Sequence, residues 1–297
     1  MPMRIAVTGQ SGQIVLSMLE RAPAGIEVIA LGRPTLDLAD LASIAPAIAA
    51  ARPDIVVNAA AYTAVDQAES EPELATLVNA TGTGEIAKAA AGLGVPIVQI
   101  STDYVFDGAL DRPYREDDPV GPVSAYGGSK LAGERAVAAA TPDHAILRTA
   151  WVYSPFGRNF VKTMLRLAET RDEIGVVADQ FGCPTSALDI ADAVFAVARN
   201  LVARPGDAGL RGIFHMAAEG EAAWADVAEA IFAERERLGG SPVRVRRIAT
   251  ADYPTPARRP ANSRLDCGKL SARHGVRLPK WRDSLTTCVE RLLENQE

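Results

Sequence analysis

The stretch Arg4-Ile5-Ala6-Val7-Thr8-Gly9-Gln10-Ser11-Gly12-Gln13-Ile14-Val15 joins three local signals in twelve residues. Residues 4–8 form a short apolar, β-rich run. Gly9 to Gly12 is a glycine turn. Ile14, Leu16, Met18 and Leu19 then follow helical spacing. Strand, glycine turn and helix in that order are the context a dinucleotide-binding loop requires. Gly9 permits the tight turn. Gly12 lets the backbone approach a pyrophosphate at the positive end of the helix, with Ser11, Gln13 and Ile14 around it. A third glycine is expected at position 15, where helix and strand pack closely, but the chain has Val15. That departure predicts a helix set slightly off the sheet and a weaker hold on the cofactor.

Outward from this loop, strands and helices alternate. Ile26–Leu31, Pro53–Asn58, Pro96–Ser101 and His144–Arg148 read as strands. Leu41–Ala51, Glu73–Leu93 and Ser124–Ala140 read as helices. Such βαβ alternation predicts an α/β fold, a Rossmann-like doubly wound parallel sheet covered on both faces. Ligands then bind beyond the C-terminal strand ends. Gly9, Asn58 with Ala59, Ala60 and Ala61, Ser101-Thr102-Asp103, and Thr149-Ala150-Trp151 all fall there. After Trp151 the pattern loosens. Helices are expected over Phe160–Glu169, Ser186–Leu201, Trp224–Arg237 and Ser284–Leu293, a strand over Gly212–Met216, and a non-helical proline-rich loop over Tyr253–Pro260. The division expected is a dinucleotide domain over 1–150, with 186–216 returning to it. A smaller C-terminal substrate lobe takes 151–185 and 217–297.

The whole-chain numbers exclude several classes. Of 297 residues, 48% are hydrophobic and 23% charged, which suits a globular protein. A net charge of −6 argues against a nucleic-acid partner, with Arg244 to Arg259 a local basic exception. No apolar run approaches the ~20 residues of a membrane span, and none at the N-terminus resembles a secretory signal. Three scattered cysteines and three scattered histidines show neither a disulfide framework nor metal-ligand spacing, so no metal is expected. A cytoplasmic location with reduced cysteines follows, and a monomer or homodimer is expected.

Tyr126 and Lys130 lie four apart in Ser-Ala-Tyr-Gly-Gly-Ser-Lys, on one face of a helix. A cation beside a phenol favours the phenolate, so the tyrosine pKa is expected to fall below its usual value of about 10. Such a tyrosine passes protons to and from an alcohol or ketone oxygen. Asn58-Ala-Ala-Ala-Tyr-Thr-Ala-Val-Asp-Gln-Ala-Glu69, Ser101-Thr-Asp-Tyr-Val-Phe106, Tyr126-Gly-Gly-Ser-Lys-Leu-Ala-Gly-Glu134, Arg148-Thr-Ala-Trp-Val-Tyr153, Asp179-Gln-Phe-Gly-Cys-Pro-Thr185 and Pro254-Thr-Pro-Ala-Arg-Arg-Pro-Ala-Asn-Ser263 span nearly the whole chain in order. On these strings the sequence resembles the extended short-chain dehydrogenase/reductase superfamily, and within it the dTDP-4-dehydrorhamnose reductase family.

The resemblance implies NADPH-dependent reduction of the C4 ketone of a dTDP-sugar, dTDP-4-dehydro-β-L-rhamnose. That step supplies dTDP-L-rhamnose for lipopolysaccharide O-antigen. It implies Tyr126 as the acid and, with Lys130, as a cofactor-binding residue, Lys130 holding the nicotinamide ribose. Thr102 would bond the substrate oxygen or the tyrosine, and Asp103 and Trp151 would contact substrate. Asp37 and Leu38 match a stretch near the adenine. Plainer roles stay open: a strand-end hydroxyl for Thr102, an N-cap for Asp103, packing for Trp151. Ala59, Ala60 and Ala61 are small enough for backbone to approach the dinucleotide, or simply for tight packing. Leu31-Gly32-Arg33 ends the second strand with no carboxylate, which favours NADPH over NADH through Arg33, unless that side chain is only a solvated charge. Arg258 and Arg259 suit a diphosphate, or ion pairs with acidic neighbours. Some relatives link a dimer through magnesium held by carboxylates near the first helix; Ser17 offers none. The alternatives within reach are another nucleotide-sugar 4-ketoreductase or epimerase, and a non-catalytic NADP-binding regulatory subunit.

Overall fold

The computed structural model describes residues 1–294. Six strands form one parallel sheet: β1 (Met3–Thr8), β2 (Ile26–Leu31), β3 (Ile55–Asn58), β4 (Ile97–Thr102), β5 (His144–Thr149) and β6 (Gly212–His215). Their order is β6-β5-β4-β3-β1-β2. The chain builds outward from β1 to β2 in one direction and from β3 to β6 in the other. The direction reverses between β1 and β3, and a crevice opens there at the C-terminal strand ends. The expected doubly wound sheet is therefore present, and Gly212–His215 is its sixth strand.

Alternation along the strands sorts the core into two layers. Ile5, Val7, Ile55, Val57 and Val98 point to one face, where Val15 and Met18 of α1 (Gln13–Arg21) meet Ile190 and Val194 of α7 (Ala187–Ala203). Ala6, Val56, Ile97 and Ile146 point to the other. There they meet α2 (Leu41–Ala51), α4 (Thr83–Leu93) and α5 (Ala125–Ala140). Burial on both faces explains why β3 and β4 carry no exposed position.

The single long helix expected over Glu73–Leu93 is corrected. α3 (Pro72–Thr76) runs into a π-helical turn over Leu77–Gly82 before α4 begins. The buried Asn79 in that turn explains it. Its Oδ1 accepts from the Tyr62 N–H at 2.8 Å, and its Nδ2 donates to the Tyr62 carbonyl at 3.0 Å and to Ser129 Oγ at 2.9 Å. An inserted residue turns the amide inward to make these bonds, as π turns at functional sites commonly do.

Beyond β5 the chain leaves the sheet. α6 (Phe160–Leu167) is followed by Glu173–Val177, which pairs in parallel with Arg244–Ile248. α8 (Trp224–Arg237) packs against α6 and α10 (Trp281–Glu294), and the short α9 (Gly268–His274) lies against β6. Arginines of the basic stretch are taken up in ion pairs, Arg247 with Asp226 at 2.8 Å and Glu229 at 2.9 Å, and Arg244 with Glu173. Among the described residues no helix is long and apolar enough to cross a membrane, and no cluster of potential ligands could hold a metal ion.

Candidate active site

The loop between β1 and α1 has the geometry a dinucleotide needs. Gly9 has φ +102°, a conformation that side-chain-bearing residues avoid. A Cβ there would lie 3.2 Å from Val15 Cγ2. Val15 thus occupies the space a side chain at position 9 would need, and it is buried in the core beside α7. Gly12 is the N-cap of α1, exposed, with no side-chain cap and nothing within 4 Å of where its Cβ would stand. The first-turn N–H groups of α1 are therefore available to an anion. Ser11 is exposed, and Ile14 and Gln13 are half-buried. The Gln13 side chain is partly committed elsewhere. Its Oε1 accepts from Ser154 Oγ and from Asn159 Nδ2, both at 2.9 Å, tying the loop to the segment before α6.

Thr8, at the end of β1, organises the turn after β3. Its Oγ1 accepts the N–H of Ala59 at 3.2 Å and of Ala60 at 3.0 Å, and donates to Asn58 Oδ1. Ala59, Ala60 and Ala61 are half-buried along this rim. Arg33 is exposed after β2 and makes no ion pair among the described residues. Asp37 is held in the following loop, its N–H donating to Ser43 Oγ at 2.9 Å, and Leu38 is buried against the π turn at Gly82. These residues fit a dinucleotide: an uncapped helix end for the pyrophosphate, small side chains along the crevice, and a free guanidinium at the second strand.

Thr102 and Asp103 emerge from β4 toward α5. Thr102 Oγ1 donates to Asp103 Oδ1 at 2.9 Å and accepts the Tyr104 N–H at 3.2 Å, so the hydroxyl does cap the turn Asp103–Val105. Asp103 is the first residue of that turn and not its N-cap. Its carboxylate is buried, with Oδ2 unpartnered. Burial lifts its pKa to about 6, against the hydroxyls of Ser263 and Thr102.

Tyr126 lies in the first turn of α5, capped by Ser124, with its ring edge-on to Tyr104 at 5.9 Å between centroids. The expected fall in its pKa is corrected. Burial pushes the phenol up to about 12, opposed by Thr102 and reinforced by the Asp103 charge. Lys130 is engaged with β4. Its ammonium is buried and donates to the Ile100 carbonyl at 2.8 Å. Burial brings Lys130 down to about 8, against the upward pull of Glu134. Helical spacing places the two residues on one face, but desolvation is the largest cause of both shifts.

Trp151 follows β5 with φ +48°, an uncommon and costly conformation for a bulky residue. Its ring stacks on Trp224 at 3.6 Å, and Gly182 leaves no room for a Cβ, which would lie 2.4 Å from the indole. Packing against Trp224 and Gly182 holds the Trp151 ring in place. The two arginines of the proline loop separate. Arg259 Nη2 donates to Asp66 at 2.7 Å, and Asp66 also accepts the Ala257 N–H at 3.2 Å. Arg258 is exposed and makes no ion pair among the described residues. The anion-ready arginine is thus Arg258, and Arg259 anchors the loop.

Sequence reasoning did not find roles for Thr8, Gln13 as a tie, Asn79 or the Glu134–Arg148 pair. Only Glu134 had a signal, as the next position in the series 126, 130, 134. A cavity of about 710 Å³ also lies beside α5, lined by Leu131, Ile146 and Ile213 together with Glu134 and Arg148; Tyr126 and Lys130 do not line it.

The sequence profile of the RmlD substrate-binding domain matches residues 3–294. A Sinorhizobium fredii protein named dTDP-4-dehydrorhamnose reductase is 55% identical over 291 residues, covering 98% of each chain. A Clostridium acetobutylicum structure described by the same name has a TM-score of 0.90 and 39% identity, covering 98% of this chain and 100% of that one. A Bacillus anthracis enzyme of that name, solved in complex with NADP, has a TM-score of 0.90 and 33% identity over 99% of this chain and 100% of its own.

Proposed function

The chain belongs to the RmlD substrate-binding family, that of the dTDP-4-dehydrorhamnose reductases, and on that premise we propose that it reduces the C4 ketone of dTDP-4-dehydro-β-L-rhamnose with NADPH. The observation that carries the reading is the meeting, at one rim of the sheet, of an uncapped glycine loop with the buried Thr102 and Lys130 and the half-buried Tyr126. Residues 1–150 with 186–216 hold the cofactor, and 151–185 with 217–297 the sugar nucleotide.

Gly9, Ser11, Gly12, Gln13 and Ile14 cradle the pyrophosphate. Arg33 meets the 2′-phosphate, Asp37 and Leu38 flank the adenine, and Ala59 to Ala61 line the crevice. NADPH, when bound, supplies the hydride to C4. Tyr126 gives the proton to the C4 oxygen. A phenol held up at about 12 is protonated throughout the working pH range, which is the state a reduction requires. Lys130 holds the nicotinamide ribose and, as an ammonium, stabilises the phenolate left on Tyr126. Thr102 orients the phenol and the carbonyl oxygen. Asp103 and Trp151 contact the sugar, and Arg258 pairs with the diphosphate.

The test is the decay of NADPH absorbance on adding dTDP-4-dehydrorhamnose, beside a Tyr126→Phe variant. The wild type is expected to yield dTDP-L-rhamnose. The variant is expected to retain NADPH binding and lose about 10²–10⁴-fold in kcat. NADPH binding without turnover in the wild type would reject the reading.

A further inference from the structure

Lys130 is followed one helical turn later by Glu134, and both are buried, at 4% and 3% exposure. Buried acidic groups are rare and need partners. Glu134 has three hydrogen bonds. Oε1 accepts from Ser101 Oγ at 2.6 Å and from Arg148 Nε at 2.9 Å, and Oε2 accepts from Arg148 Nη2 at 2.7 Å. Ser101 and Arg148 face each other in the register of β4 and β5. The fork-to-fork pair therefore fixes α5 to two adjacent strands at one point. Ser101 directly follows Ile100, whose carbonyl takes the Lys130 ammonium. The same two residues of β4 thus hold Lys130 and Glu134.

We infer that Glu134, clamped by Arg148 and Ser101, is the positioning residue for Lys130, setting both the place of its ammonium and the charge it feels. The inference deepens the proposed function, since it gives Glu134 a task in the same reaction. α5 also packs closely at two other points, since Cβ atoms at Gly127 and Gly133 would come within 2.2 Å of the Tyr104 carbonyl and 2.1 Å of the Asn79 carbonyl, so the clamp refines the place of the ammonium on a helix already seated. Glu134 also raises the Lys130 pKa against a burial that lowers it. The charged groups nearest Glu134 are Lys130 on its own helix and Arg148 on β5, and the cavity that Glu134 and Arg148 line also holds Arg135 of α5, Glu116 and Asp117 of the preceding loop and Lys269 of α9. His215 of β6 lies near Arg148, and burial and that guanidinium hold it down at about 3, so it is neutral. With the carboxylate neutralised, Lys130 keeps its burial and loses its counter-charge, so it deprotonates at lower pH.

The test uses Glu134→Gln, which keeps the shape and removes the charge. The chain has five lysines, so isotopic labelling of lysine allows NMR titration of the Lys130 ammonium, assigned with a Lys130→Arg control. The expected result is titration about one unit lower than in the wild type. Turnover at pH 8 should fall several-fold with the sugar KM unmoved. Because Glu134→Gln leaves Arg148 buried without its carboxylate, Glu134→Gln/Arg148→Met serves as the second variant. It should recover the melting temperature, and with the Arg148 cation gone as well Lys130 should titrate between the single variant and the wild type. A Lys130 titration equal to wild type in the folded single variant, or one above wild type in the double variant, would overturn the inference and leave the pair a structural clamp only. The titration needs no turnover, so an inactive wild type would reject the proposed reaction without deciding the role of Glu134.

Discussion

Gly133→Ala and Gly128→Ala make the same chemical change five residues apart on α5, and the structure predicts opposite signs. In a helix interior alanine is more stable than glycine by about 1 kcal/mol. Gly128 collects that gain, because nothing lies within 4 Å of its new methyl. At Gly133 the methyl would stand 2.1 Å from the Asn79 carbonyl oxygen. Real Cβ atoms stay beyond 3.0 Å, so α5 and the π turn must part by roughly 1 Å. The obstacle is backbone, held in place by the Asn79 bonds to Tyr62 and Ser129, and no rotamer change relieves it. Overpacking of this kind costs about 3 kcal/mol, the upper end of its usual range. Less the helical gain, Gly133→Ala should lose about 2 kcal/mol and Gly128→Ala should gain up to ~1 kcal/mol. For a chain of this size that is a fall of roughly 4–8 °C in melting temperature against a rise of about 2–4 °C. Differential scanning calorimetry on the ligand-free protein reads both. Equal effects of the two substitutions, or a stabilising Gly133→Ala, would refute the close approach of the π turn and α5.

Asp103→Asn is expected to stabilise the protein near pH 8 while lowering turnover. The folded pKa of about 6 lies above the ordinary 3.8, so this group's contribution is most favourable below pH 4 and is lost as pH rises through 6. The full shift is worth about 3 kcal/mol, and the buried amide returns part of it, leaving about 1–2 kcal/mol. Thermal melts at pH 8 and pH 4 check it, with the advantage of the variant gone at the lower pH. Arg33→Ala should raise the KM for NADPH about tenfold and leave that for NADH unchanged, read by initial rates with each cofactor. An equal loss with both would assign Arg33 to the solvated surface.

Much of the fold was legible along the chain because its signals are local. Ile5, Val7, Val57 and Val98 alternate in strands, and Ile190 and Val194 recur at helical spacing, whatever the rest of the molecule does. Gly9 and Gly12 carry their turn within four residues. The candidate site was legible where it depended on spacing, as in Tyr126 and Lys130, or on strand ends, as in Thr102 and Trp151. Protonation was not, because desolvation is set by everything packed around a group. Tyr126 moves up and Lys130 down although they are neighbours on one helix. The π turn at Asn79 depends on a bond to Tyr62, 17 residues away. The separation of Arg258 from Arg259 depends on Asp66, 193 residues from the arginine it holds. Adjacent arginines in a sequence are equivalent until a distant carboxylate selects one. The sequence by itself determined which elements form and which rim they expose. Tertiary contact alone decided which of the rim's charges are paired, buried or left for a ligand, because burial and long-range partners exist only once the chain has closed on itself.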